Sequence, residues 1–102
     1  MTTKKKGSPI SIVEFPALRD FLRGYFHEDL AAEYGSPKAA AQRFRQDADE
    51  AQRKALAEEW TRFLAGMKGQ PLEALNQALI ALGSACRLDQ ADVDEVSRIL
   101  QF

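Results

Sequence analysis

DEAQRKALAEEWTRFLAGMKG, residues 49–69, carries the longest helical pattern in the chain and decides its fold. Ala51, Ala55, Leu56, Trp60, Phe63, Leu64 and Met67 recur at three- and four-residue steps, which gathers them into one apolar stripe. Asp47 followed by Glu50 fits a capping arrangement that opens this helix, and Gly66 and Gly69 close it. Upstream, Ser36-Pro37 reads as an N-cap followed by a first helical residue. The helix it opens runs to about Gln46 and buries Ala40, Ala41 and Phe44. Further back, Phe15-Pro16 opens a helix whose inner stripe is Phe15, Leu18, Leu22, Tyr25 and Phe26, with Arg19, Asp20 and Arg23 on the other side. Gly24 weakens its last turn, and it ends between Tyr25 and His27. The polar stretch from His27 to Gly35 reads as a connector with room for one irregular helical turn. Residues Ile10 to Val13 look extended.

Downstream, Pro71 starts a fourth helix with Leu72, Leu75, Leu79 and Leu82 in a row, stopped by Gly83. Asp89 caps a fifth, in which Val93, Val96, Ile99 and Leu100 point inward. No strand pair with hairpin chemistry and no internal repeat is visible. The expected fold is all-α, a single-domain bundle of about five short helices.

Composition agrees. The 102 residues are 45% hydrophobic and 28% charged, an ordinary globular balance for one domain. A lone cysteine, Cys86, forms no internal disulfide and fits a reducing compartment. No apolar run approaches the roughly 20 residues of a membrane span, and the basic N-terminus lacks the apolar core of a signal peptide. The expected location is the cytoplasm, with no membrane partner. Residues 1–9, with Lys4, Lys5 and Lys6, read as a flexible basic tail, and residues 10–102 as the helical domain. The net charge is -1, from 14 basic and 15 acidic residues; without those three lysines only 11 basic ones remain, and the body carries -4. A body of that sign repels a phosphate backbone, so direct nucleic-acid binding is not expected.

Parts for catalysis are missing. The one histidine, His27, has Glu28 and Asp29 beside it, but consecutive residues do not share a helix face, so no metal site and no cofactor are expected. Nothing in the sequence pairs Cys86 with His27 as nucleophile and base, and no phosphate-cradling glycine motif is present. A helix-turn-helix-like DNA-binding regulator is the alternative. Its recognition helix would carry Gln42, Arg43, Arg45 and Gln46, although the acidic residues that follow oppose it.

One segment is more specific. Phe15 to Asp29 fits the pattern FP-x-L-x-x-F-L-x-G-Y-F-H-x-D, and Glu33-Tyr34-Gly35-Ser36 completes it as E-Y-G-S. It resembles the opening of the contact-dependent growth inhibition (CDI) immunity proteins. The family often has tryptophan after the aspartate, where this chain has Leu30. The resemblance implies a small helical protein of the bacterial cytoplasm, with no enzymatic activity. Its expected partner is the C-terminal toxin domain encoded beside it, expected to be a nuclease; a monomer is the expected state. A signature shared by members that neutralise dissimilar toxins builds the fold, so Tyr25, Phe26, His27, Asp29, Glu33, Tyr34, Gly35 and Ser36 are read as structural, with Asp29 or Glu33 holding the His27 ring. Contact with the toxin is assigned to exposed acidic faces. One comprises Glu28, Asp47, Asp49, Glu50, Glu58 and Glu59; the other comprises Asp89, Asp92, Asp94 and Glu95. An acidic surface complements a cleft built for phosphates and speeds association with a basic partner.

Overall fold

The computed structural model describes residues 15–101; the basic tail and the extended-looking Ile10–Val13 stretch lie outside them. Six helices follow in order: α1 (Pro16–Tyr25), α2 (Leu30–Glu33), α3 (Pro37–Asp47), α4 (Glu50–Gly66), α5 (Leu72–Leu82) and α6 (Gln90–Leu100). Among the described residues there is no strand. The sixth helix, beyond the five read from periodicity, is α2, a single turn within the His27–Gly35 connector.

Local chemistry accounts for most boundaries. The Ser36 hydroxyl accepts from the Ala39 N–H at 3.1 Å and starts α3. Asp89 and Asp92 form a reciprocal capping box at the head of α6. Gly83 ends α5 with a φ of +127°, and its N–H donates to the Ile80 carbonyl while Ser84 N–H donates to Leu79. That pair of bonds is a Schellman closure, which needs a left-handed residue and so favours glycine. The start of α4 departs from expectation. Asp47 is the last residue of α3, Ala48 is extended, and the cap is Asp49, whose carboxylate accepts from Gln52 N–H while the Gln52 side chain accepts from Asp49 N–H. The box has the expected form, displaced by two residues.

Helix α1 packs on α4, α3 and α5, and α6 packs on α3 and α4. The fully buried Ala40 and Ala41 present only methyl groups, which lets α3 lie close against α6. Leu18, Leu22, Leu56, Trp60, Phe63, Leu79 and Val96 fill the centre, each large aliphatic or aromatic side chain contributing about 1.5–3 kcal/mol. Phe21, absent from the expected inner stripe of α1, is buried as well. Trp60 satisfies its indole N–H on the Ser97 hydroxyl at 2.8 Å. The buried Asn76 side chain donates to the Leu88 carbonyl and accepts from Leu88 N–H, fixing the loop from α5 to α6. That loop returns to the end of α1, where Ala85 N–H donates to the Phe26 carbonyl at 2.8 Å.

Candidate functional site

The signature residues meet at the C-terminal end of α1. Tyr25 stacks between Phe21 and Tyr34, with ring centroids 5.6 and 5.7 Å away, and meets the edge of Phe44 at 5.6 Å. Phe26 is fully buried and lies 5.0 Å from Phe21. The Tyr25 hydroxyl donates to Asp47 Oδ2 at 2.8 Å, and Arg43 Nε donates to Asp47 Oδ1 at 3.1 Å. Burial, with the neighbouring Asp47 carboxylate, pushes the Tyr25 phenol up to about 12. The same two hydrogen bonds hold the Asp47 carboxyl below its usual range, so at neutral pH a phenol donates to a carboxylate.

The His27 ring is engaged at both nitrogens. Asp29 N–H donates to Nδ1 at 3.1 Å, which places the ring proton on Nε2, 3.1 Å from Glu33 Oε1. Asp29 thus acts through its backbone and Glu33 through its carboxylate. Tyr34 covers the ring at 5.9 Å, Gly35 turns the chain with a φ of +96°, and Ser36 caps α3. The fold also brings Cys86 to His27, but the thiol donates to the His27 carbonyl at 3.3 Å and not to the imidazole. Burial raises the thiol above its ordinary value, which disfavours the thiolate a nucleophile would need. Among the described residues no three of His, Cys, Asp and Glu converge on a point where a metal ion would sit.

The acidic candidates divide once they are placed in space. Glu28, Asp47, Asp49, Glu50 and Glu58 are exposed, as are Asp89 and Asp94. Asp92 and Glu95 are half-buried. Glu59 is not on an exposed face at all: it is 8% exposed, and its Oε1 accepts from Leu18 N–H in the first turn of α1 at 2.8 Å. Phe15, at the N-cap of α1, offers no side-chain acceptor, so a carboxylate from α4 caps α1 across the core. The sequence carried a signal for this, since Glu59 falls between Leu56, Trp60 and Phe63 on the inner stripe. Asp49, Asp89 and Asp92 are engaged in capping boxes and Asp94 with Gln90, while Asp47 holds Tyr25 and Arg43.

Of the acidic candidates, Asp47, Asp49 and Glu50 fall together at the corner between α3 and α4. That corner borders a groove of about 430 Å³ between α1, α3 and α4. Asp20 and Asp47 stand along it, and its walls include Phe21, Phe44 and Leu56. The groove was not expected from sequence. Ala51 and Ala55 belong to the α4 stripe, yet Ala51 is exposed and Ala55 half-buried, because no helix among the described residues covers the stripe there. On α3, the alternative recognition residues are in part spoken for: Arg43 is paired with Asp47, and Arg45 is half-buried. No helix among the described residues is long and apolar enough to cross a membrane.

No curated protein and no solved structure matches the chain. The family described as CdiI immunity protein matches residues 14–87, from just before α1 through α5 and most of the loop that follows it. The match spans the whole aromatic signature, the α3–α4 corner and the groove; its members are inhibitors, not enzymes. The chain belongs to the CdiI immunity protein family.

Proposed function

We propose that this protein binds the C-terminal toxin domain encoded beside it in the cytoplasm of the producing bacterium, and that it neutralises a nuclease by covering the phosphate-binding cleft. The observation that carries the reading is the α3–α4 corner, where Asp47, Asp49 and Glu50 are exposed within four residues, Asp47 lining the same groove as Asp20. A basic cleft and an acidic corner attract each other over several ångströms, and steered association reaches roughly 10⁸–10⁹ M⁻¹s⁻¹ at low salt. Speed matters for an inhibitor that must act before its target turns over. The aromatic signature builds the support: it fixes Tyr25, and through Tyr25 it fixes Asp47.

Co-expression with the toxin domain tests the function. Growth should be restored, and the two proteins should co-purify. Restored growth without a complex would remove the binding mechanism. Asp20 and Glu50 make no side-chain hydrogen bond or ion pair among the described residues, so reversing them disturbs charge with little effect on folding. Asp20→Lys with Glu50→Lys should slow association at low salt more than it speeds dissociation. An unchanged association rate would place the contact on another face.

A further inference from the structure

We infer that the groove between α1, α3 and α4 receives an apolar side chain of the bound toxin, presented on a segment that carries a lysine or arginine on either side of it. The inference rests on the proposed immunity function and specifies which part of the surface does the gripping.

The apolar character of the groove has a simple origin. Ala51 and Ala55 stand one helical turn apart on α4, on the side that faces α1 and α3, and they leave open space where larger side chains would have closed the gap. A hydrophobic stripe that runs past the edge of the core gains nothing for folding, but it offers apolar area to an incoming partner. Apart from Asp20, the polar side chains that border the groove are already engaged with one another or with neighbouring backbone. The Tyr25 hydroxyl is given to Asp47, and the Gln52 side-chain oxygen accepts from Asp49 N–H. A small polar ligand would therefore find few groups to orient it, whereas an apolar side chain strands none.

The charge around the opening selects the flanks. Both charged residues among the described residues of the lining are aspartates, Asp20 on α1 and Asp47 on α3, and Glu50 stands exposed at the head of α4. Arg43 offsets Asp47, but Asp20 and Glu50 have no such partner among the described residues. Carboxylates on two sides of an apolar slot complement cations on two sides of an apolar anchor and repel an acidic segment. The wall is also preformed. Tyr25 is clamped between two rings and hydrogen-bonded to Asp47, so little ordering remains to be done on binding.

The test uses the full chain and the toxin domain encoded beside it. Ala51→Leu with Ala55→Leu fills the groove with good helix formers. Ala81→Leu makes an equivalent change at an exposed position on α5. The groove-filled variant should bind the toxin domain at least tenfold more weakly, chiefly through faster dissociation, with its thermal midpoint held; Ala81→Leu should bind as the unaltered protein does. In a second measurement, the thiol of Ala51→Cys in a Cys86→Ser background should be alkylated at least tenfold more slowly once toxin is added. This reading is independent of the filled variant's folding. Undiminished binding by a folded groove-filled variant, or an unprotected thiol in the complex, overturns the inference and leaves the immunity function standing. Failure of the unaltered protein to bind the toxin domain refutes the function itself, and the inference with it.

Discussion

Replacing Glu59 with alanine should unfold this protein more readily than any other single carboxylate removal. The Glu59 carboxylate is 8% exposed and accepts from Leu18 N–H at 2.8 Å, at the end of a helix whose N-cap residue supplies no side-chain acceptor. A hydrogen bond to a charged group contributes about 1.5–3 kcal/mol, and the orphaned, buried Leu18 N–H costs about 1–3 kcal/mol. Favourable contact of an anion with a helix N-terminus adds about 0.3–1 kcal/mol. These effects overlap, so the loss is set at about 3 kcal/mol. At roughly 4–8 °C per kcal/mol for a domain of this size, the midpoint falls by about 12–24 °C. Glu59→Gln keeps an acceptor and gives up the charge, and it should lose about 1 kcal/mol. Glu58→Ala, one residue away but exposed, should stay within about 0.5 kcal/mol of the unaltered protein. Thermal and urea unfolding followed by circular dichroism ranks the three. Equal midpoints for Glu59→Ala and Glu58→Ala would refute the trans-capping argument.

Other consequences follow from the same contacts. The Tyr25 phenol is raised to about 12 from 10.0, so its contribution to stability is fully present below pH 10 and is lost as pH climbs toward 12; Tyr25→Phe should flatten that alkaline loss in pH-dependent unfolding. Absorbance titration should show that phenol ionising well after a free tyrosine does. Gly83→Ala places a side chain at a φ of +127° and against the stem of Arg23, and should cost about 1–2 kcal/mol in urea unfolding. Asn76→Ala strips the Leu88 peptide of both side-chain bonds in a buried loop; a loss of about 2–4 kcal/mol is expected by the same method.

Signals written within a few residues of one another were readable in the sequence. Ser36 beside Pro37, Asp89 before the last helix and Gly83 after α5 act on neighbouring backbone groups, so their meaning needs no tertiary context. The capping box of α4 was displaced by two residues because Asp47 and Asp49 are equally able to cap; the extended Ala48 between them decides. Glu59 and Asn76 show what residue type conceals. Both occupy inner-stripe positions, next to Trp60 and Leu75, yet a polar identity reads as surface until the opposing backbone N–H or carbonyl is seen. The groove reverses the error. Ala51 and Ala55 continue an apolar stripe, and only the arrangement of α1 and α3 shows that no helix among the described residues lies over them. The aromatic signature was legible as a unit, whereas its link to the acidic corner, through Tyr25 and Asp47, joins residues 22 positions apart.

Inhibition of a purified toxin domain tests the central claim most directly. Titrating this protein into the toxin encoded beside it, while the toxin's own activity on its substrate is followed, should abolish activity at a fixed molar ratio with nanomolar affinity, about 12 kcal/mol of association free energy. Activity that persists undiminished in the presence of a large excess of folded protein would contradict the account.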